Sequence, residues 1–265
     1  MVKGDRSAQI RRYLYTSGPS SVQAIAGAVG TSLATVRRDL HLLENAGFIL
    51  RDHGGARIAE RAGGEVAFEQ RELKNLAAKR AIADAAYDML EPDSTVFLDA
   101  GTTVYQLARR LRLNPMPLNI VSNCILIAQE LALVRGVSVT LLGGRLRPGN
   151  ASMVGILTER ALDELWFDQV FIGAGAIAPD GGIYSVDADE ARANAKMLTR
   201  ASRRTVLVDA TKFGQVLTYR VAPLSAGLGI ITDELPADWA RRLAGIGCAV
   251  QISPVPRVVP ERQAS

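Results

Sequence analysis

Aromatic side chains are scarce, 5% of 265 residues, so a base-stacking platform for single-stranded nucleic acid is not expected. Cysteine is nearly absent. Cys124 and Cys248 stand far apart in apolar surroundings and read as reduced, buried side chains, not as a bridge. The two histidines, His41 and His53, cannot complete a ligand set with such distant cysteines, so no metal and no cofactor is expected. Apolar runs are strand-sized, and none approaches the ~20 residues of a membrane span. The first residues, MVKGDR, lack the apolar stretch of an export leader. The expectation is a cytoplasmic protein with no membrane partner. What remains is ample core material: 48% of residues are hydrophobic and 22% charged, which excludes wholesale disorder. The length suits one large or two modest domains.

The formal net charge of +4 is unevenly placed. Residues 1–62 carry nine Lys/Arg against five Asp/Glu, so the whole excess lies in the first quarter of the chain and the rest is neutral. A small basic segment joined to a neutral one suggests a polyanion-binding module beside something else.

Within that segment, residues 5–17 place Ile10, Tyr13 and Leu14 on one helical face, stopped by Gly18-Pro19. Ser20-Ser21 can cap a second helix over 22–29, closed by Gly30. Thr31-Ser32 can cap a third, from Leu33 to about Asn45, with Leu33, Val36, Leu40 and Leu43 inward and Gly47 as its end. Residues 48–50 and 56–58 flank Gly54-Gly55 as a hairpin. Three short helices and a hairpin make a winged helix-turn-helix over 1–58. Residues 59–73 are polar, contain Gly63-Gly64 and read as a linker.

A helical pattern returns over 74–90. Beyond it, strand-like runs at 95–98, 118–122, 137–142, 169–173, 205–208, 228–232 and 249–252 alternate with helical stretches. Continuous apolar strands between amphipathic helices argue a parallel sheet covered on both faces. The expected fold class is α/β: a winged helix-turn-helix, a mainly parallel-sheet domain over 74–253, and a flexible tail over 254–265.

The third helix presents Ser32, Thr35, Arg37, Arg38 and His41 away from its apolar stripe. Small polar residues near a helix start can approach base edges, and arginines can fork onto guanine or grip phosphate. The hairpin adds Arg51, His53, Gly54 and Gly55. A solvated helix with surface arginines is the competing interpretation. The run from Ser32 through Thr35-Val36-Arg37-Arg38-Asp39-Leu40 to Arg51-Asp52-His53-Gly54-Gly55-Ala56 resembles the N-terminal signature of the DeoR/GlpR family of bacterial transcriptional regulators. The resemblance implies binding to double-stranded operator DNA, usually as a repressor of sugar or polyol catabolism genes.

In the neutral half, Gly101, Thr102 and Thr103 lie between a strand and a helix, where glycine allows close approach and hydroxyls meet the helix's positive end. Neither a Walker A lysine nor a complete Gly-x-Gly-x-x-Gly is present, so nucleotide binding is not indicated. Ser122-Asn123 and Gly143-Gly144 end further strands, and such edges are where open α/β sheets place ligands. Asp168, Asp180, Glu190 and Lys212 gather near strand ends, the acids suited to hydroxyls and the lysine to phosphate. Asp180 as a turn residue and Glu190 as a helix-start acid are the plainer alternatives.

Asp99-Ala-Gly-Thr-Thr, Ser122-Asn123, Leu142-Gly-Gly, Phe167-Asp168 and Asp209-Ala-Thr-Lys-Phe-Gly resemble the family's effector domain, which is similar in fold to ribose-5-phosphate isomerase. By that resemblance a sugar or polyol phosphate binds there, with Gly101, Thr102, Thr103 and Lys212 on the phosphate and Asp99, Ser122, Asn123, Asp168 and Glu190 on the sugar. Asn194 stands where the family often has a lysine, with Lys196 two positions on. The expected protein is a homo-oligomeric regulator with no catalytic residues. An isomerase-like enzyme with a DNA-binding head, and an architectural DNA binder, are the alternatives.

Overall fold

The computed structural model describes residues 3–45, 48–52, 54–58 and 68–256. The chain divides into two compact units, Met1–Ala67 and Phe68–Ser265. The first comprises α1 (Lys3–Ser17), β1 (Ser20–Ser21), α2 (Val22–Val29), α3 (Leu33–Asn45), β2 (Ile49–Asp52) and β3 (Gly55–Ile58). Its core gathers Ile10 and Leu14 of α1, Ile25 and Val29 of α2, Val36, Leu40 and Leu43 of α3, and Ile49 of β2. Each of these apolar stripes repeats at three or four residues, so each helix has one face to bury.

The turns follow from their capping residues. Ser21 accepts the Ala24 amide at 3.2 Å. Gly30, at φ 67°, returns its N–H to Ala26, in the left-handed conformation glycine adopts without strain. The expected hairpin forms, with Leu50 opposite Arg57 and Arg51 opposite Ala56. An unforeseen third strand joins it, Ser20 pairing with Ala56; two serines are too short a run to show strand periodicity. Gly47 lies outside the described residues. A buried charge pair ties α1 to α3: Arg6 donates to Asp39 through Nε at 2.5 Å and Nη2 at 3.1 Å. Asp39 sits on the helix's inner stripe, 2% exposed, so its charge is answered from the neighbouring helix.

The second unit begins earlier than sequence suggested. Of the stretch read as linker, 59–67 lie outside the described residues, but α4 spans Phe68–Leu73. The polar run hides one apolar anchor: Phe68 is buried, its ring edge-on to Tyr105 at 5.6 Å. After α4 come α5 (Leu76–Tyr87), β4 (Thr95–Leu98), α6 (Thr102–Leu113), β5 (Leu118–Ser122), α7 (Ile125–Leu131), β6 (Val137–Leu141), β7 (Arg145–Arg147), β8 (Ser152–Val154) and α8 (Ile156–Asp163). There follow β9 (Phe167–Gly173), β10 (Ala176–Ile177), β11 (Gly182–Ser185), α9 (Ala188–Leu198), β12 (Ala201–Leu207), β13 (Tyr219–Pro223), β14 (Leu228–Thr232), α10 (Ala237–Ile246) and β15 (Ala249–Ile252).

Seven of these strands form one sheet in the order β15-β14-β12-β9-β4-β5-β6, every pair parallel. Successive residues face opposite ways. Val96 and Leu98 join one core with Ile82 of α5 and Val104, Leu107 and Leu111 of α6. Phe97, Val170 and Ile172 join the other with Leu162 of α8, Met197 of α9 and Leu243 of α10. Chain order runs outward from β4 through β5 and β6, then resumes on the other side at β9. The winding therefore reverses between β4 and β9, and such a switch opens a crevice at the carboxyl ends of the strands.

Two smaller antiparallel sheets, β7-β8 and β10-β11-β13, complete the unit. Sequence missed both because their strands of two to five residues offer too little alternation. Of the tail, residues from 257 onward lie outside the described residues.

Candidate functional site

In α3 the inward stripe is Val36, Asp39, Leu40 and Leu43, all buried. At 3.6 residues per turn the opposite face is Ala34, Arg38 and His41, with Arg37 to one side, and all four are exposed. Among the described residues no acid engages Arg37 or Arg38, while His41 Nδ1 lies 4.0 Å from Glu44. Ser32 and Thr35 are occupied with the helix start: Ser32 Oγ accepts the Thr35 amide at 3.3 Å and sits 2.9 Å from its hydroxyl. Their side chains cap the helix that carries the arginines. In the hairpin, Arg51 reaches Glu44 at 3.8 Å, Gly54 is exposed at the turn with φ 94°, and Gly55 begins β3. Arg57, exposed on β3, adds a cation that motif reasoning did not single out. His53 lies outside the described residues.

In the second unit, the carboxyl ends of β12, β9, β4, β5 and β6 carry, in that spatial order, Asp209, Gly173, Asp99, Ser122-Asn123 and Leu142-Gly143-Gly144. At the switch point two backbones touch: a Cβ on Gly101 would lie 3.3 Å from the Gly173 Cα, and one on Gly173 3.4 Å from the Gly101 Cα. A side chain at Gly101 would have to press the β9 backbone back by a few tenths of an ångström, whereas one at Gly173 meets ordinary contact. Gly101 leads into α6, whose buried Thr102 and Thr103 start a first turn with unsatisfied amides, a favourable place for an anion. At the β6 edge, Thr158 donates to the Gly143 carbonyl at 2.8 Å, and a side chain on Gly144, at φ 154°, would collide with that hydroxyl.

Cations gather beside β12. Lys212 is partly buried in the 3-10 turn Ala210–Lys212. Lys79 of α5 is 4% exposed and donates to the Arg71 carbonyl. Asp209 lies between these groups, accepting from Asn75 Nδ2 and from the Thr211 amide, each at 3.1 Å. Burial, opposed by Asp209 and reinforced by Lys212 and Arg71, brings Lys79 down to about 8. Burial likewise lowers Lys212. Partly desolvated cations thus crowd around one carboxylate.

Acceptors gather on the other side of the switch. Asp99 is 2% exposed; its Oδ2 takes the Gly173 amide at 3.1 Å and Asn194 Nδ2 at 3.5 Å. Glu190 accepts from Asn150 Nδ2 at 2.5 Å and from the Ser185 hydroxyl, and lies 3.7 Å from Arg147. The β7–β8 hairpin thus contributes Arg147, Asn150 and Ser152 to the site, and Arg71 of α4 holds its tip through Gly149 O at 2.7 Å and Asn150 Oδ1 at 2.8 Å. Within this group Asp99 Oδ1, Asn123 Oδ1, Asn194 Oδ1 and the Ser152 hydroxyl are buried and receive no hydrogen bond of normal geometry. Buried polar atoms are ordinarily paired, so the cluster is built to meet something else.

Burial, and then the negative charge of Glu190, push Asp99 up to about 7, against the opposing pull of the Gly173 and Ala100 amides and Asn194. An unfolded aspartate titrates near ~3.9. The folded chain therefore holds this proton more tightly, and the stability it contributes falls as pH rises from ~4 to ~7. Asp99→Asn is expected to stabilise the ligand-free protein at pH 8 by up to ~4 kcal/mol, a gap that narrows towards pH 4. Urea denaturation of both proteins at pH 8 and pH 5 measures it. An equal difference at the two pH values would rule out the burial account.

Not every expected residue reaches this edge. Asp168 is the second residue of β9, at the opposite, amino end of the sheet, where it accepts the Thr95 amide at 2.8 Å. Five further residues of β9 separate it from the crevice, about 16 Å of strand. It belongs to the sheet's other end because it stands at the start of its strand, whereas the crevice lies where the parallel strands end. Ser122 is in place, but its hydroxyl donates to Leu98 O at 2.6 Å and accepts the Cys124 amide at 3.0 Å, stitching β4 to β5. Asp180 is a turn residue, taking the Gly182 amide at 2.9 Å and the Tyr184 hydroxyl at 2.6 Å. Lys196 points to Asp163 at 2.7 Å and does not replace a lysine at position 194. Arg71, Lys79, Arg147, Asn150 and Ser152 were not foreseen. Lys79 looked like one more charge on an amphipathic helix, and the others sit in segments too short or polar to classify.

Comparison with known proteins agrees with both halves. Residues 6–62 match the DeoR-like helix-turn-helix domain and residues 74–234 the DeoR C-terminal sensor domain. The HTH-type transcriptional regulator GlpR of Haloferax volcanii is 34% identical, over 94% of this chain and 98% of its own. The HTH-type transcriptional repressor CsqR of Escherichia coli K12 is 30% identical, over 98% and 96%. Among solved structures, ribose 5-phosphate isomerase A from Neisseria gonorrhoeae overlaps 52% of this chain and 54% of its own at 14% identity and a TM-score of 0.38, a partial likeness of fold. A helix-turn-helix and a sensor domain occupy most of the length of one chain, in the order its full-length relatives share. The chain therefore belongs to the DeoR family of DNA-binding transcriptional regulators.

Proposed function

We propose that the protein is a cytoplasmic repressor of carbohydrate or polyol catabolism genes whose affinity for its operator is set by a sugar or polyol phosphate. The supporting observation is what lies along the carboxyl edge of one sheet: desolvated cations around Asp209 beside β12, and the α6 start with buried, unpaired acceptors around Asp99. Phosphate lies against Lys212, Lys79, Arg71 and the first turn Gly101-Thr102-Thr103. Hydroxyls lie against Asp99, Asn123, Ser152, Asn194 and Glu190, with Gly143 and Gly144 shaping the rim. Operator DNA lies against Arg37, Arg38, His41 and the start of α3 at Ser32 and Thr35, with Arg51, His53, Gly54 and Gly55 as the wing. Residues 1–58 act as reader and 74–253 as sensor. The protein works as a homo-oligomer, since one recognition helix covers only a short half-site. Repression as the direction is supported by the names of relatives, among them CsqR and a lactose phosphotransferase system repressor of Streptococcus mutans that is 29% identical over 92% of this chain.

Thermal denaturation with a panel of sugar and polyol phosphates, each beside its unphosphorylated parent, tests the reading. A true effector at ~100-fold its dissociation constant adds ~2.7 kcal/mol, and its parent sugar adds nothing. No shift across the panel would overturn the phosphate assignment. The carboxyl of Asp99 near neutrality would also suit a general base, so ribose 5-phosphate is included as a substrate. The regulator reading expects no turnover.

A further inference from the structure

We propose that the effector of this protein carries a positively charged amine, seated on Asp99 with Glu190 beside it, so that its class is a phosphorylated amino sugar. The inference rests on the phosphate-binding reading above and narrows it.

The argument starts from the chemistry of the unpaired atoms. Asn123 Oδ1 and Asn194 Oδ1 can only accept hydrogen bonds, as can Asp99 Oδ1 once ionised, and the Ser152 hydroxyl beside them is also unpaired. All four residues are at least nine-tenths buried. They belong to one contiguous group: Asn194 donates to Asp99, α9 carries both Asn194 and Glu190, Glu190 accepts from Asn150, and Ser152 bridges to Cys124, the residue after Asn123. A group that presents acceptors and few donors calls for a ligand rich in hydrogens. A hydroxyl brings one and an ammonium three.

Charge separates these two candidates. Asp99 and Glu190 interact unfavourably across the site. Glu190 has Arg147 at 3.7 Å, and that guanidinium also pairs with Asp187 at 3.3 Å. Among the described residues no cation pairs with Asp99. Lys196, on the same helix as Glu190, turns to Asp163, and the lysines at positions 79 and 212 interact with Asp209. Asn194, the side chain that does reach Asp99, is neutral. A buried carboxylate without a counter-charge is costly to hold. A neutral hydroxyl would satisfy its lone pair but leave the charge unanswered, whereas an ammonium satisfies both. The cations around Asp209 answer the ligand's phosphate, and the two acids answer its amine, so the site takes a molecule with a positive and a negative end.

The test uses the intact protein and matched pairs: glucosamine 6-phosphate with glucose 6-phosphate, galactosamine 6-phosphate with galactose 6-phosphate, serinol phosphate with glycerol phosphate. Inorganic phosphate and the N-acetylated hexosamine phosphates serve as controls. Calorimetric titration is expected to show at least one amine binding about 30-fold or more tightly than its hydroxyl partner, with acetylation removing the advantage. Asp99→Asn, checked for folding by circular dichroism, should abolish that preference, read as the ratio of the two affinities within each pair. Asn194→Lys should abolish it by a different route, by placing a cation on Asp99 and so excluding the amine. Equal affinity within every pair, with the hydroxyl phosphates still binding, would overturn this inference and leave the phosphate-binding reading intact. A preference that survives both substitutions would also overturn it. Binding of none of the sugar phosphates would overturn both.

Discussion

With Arg37 and Arg38 both replaced by Ala, operator retardation in a gel shift is expected to fall by at least ~100-fold, since each good bidentate base contact or phosphate grip carries ~1–3 kcal/mol. Arg38 projects from the centre of the exposed face of α3 and Arg37 from its flank, and among the described residues no acid holds either. Their removal takes away binding without unpacking the domain, because the packing residues of α3 are Val36, Leu40 and Leu43. The probe is a duplex selected from a random pool by the wild-type protein, and salt is varied. Loss of phosphate contacts flattens the dependence of affinity on salt, whereas loss of base contacts lowers affinity for the selected site at unchanged slope. Undiminished retardation by the folded double variant would remove α3 as the reading element.

The second large effect is expected at the cationic end of the crevice. Lys79→Met with Lys212→Gln keeps the volume of both side chains and removes both charges from around Asp209. Hydrogen bonds to charged groups contribute ~1.5–3 kcal/mol each, so the phosphate concentration needed to release operator should rise about 100-fold or more. Operator affinity without ligand should stay close to wild type, because both lysines lie in the second unit, far along the chain from α3. That split distinguishes a ligand contact from a structural one: a protein that merely unfolded would lose DNA binding as well. Release at the wild-type concentration would move the phosphate elsewhere. Lys79, brought down to about 8 by burial, should regain its usual basicity when an anion binds, so uptake of a proton on binding, seen as a buffer-dependent heat, accompanies the wild type and not the variant.

Much of this architecture was legible because apolar periodicity reports burial directly. The strands at the sheet's centre are fully enclosed, so Thr95–Leu98 and Leu228–Thr232 stand out as continuous apolar runs. The caps at Ser21 and Gly30 follow from local chemistry alone. Residues that face the crevice were legible where they sit on a strand end, as Asp99 and Asn123 do. Of those arriving from elsewhere in the chain, Glu190 was singled out, but Arg71, Lys79, Arg147, Asn150 and Ser152 were not. Arg71 meets Asn150, 79 positions on, and Glu190 meets Asn150 across 40. No local pattern marks such a pairing, since it exists only once the sheet has brought the segments together. Asp168 failed for the converse reason. It sits beside a strand, as a ligand residue would, but at the strand's start, and the crevice of a parallel sheet lies at the carboxyl ends.

The contact of Gly101 with Gly173 has a consequence for how such a protein can change what it senses. The floor of the crevice is bare backbone on both sides of the reversal, and a side chain at Gly101 must push against the neighbouring strand, so a change there alters the shape of the cleft itself. Everything that can vary without harm stands on the rim: the β7–β8 hairpin, the start of α9, the turn between α4 and α5. A new effector is therefore met by rewriting residues scattered over a hundred positions of chain above an unchanged floor, and inheritance of the cleft says little about inheritance of the ligand.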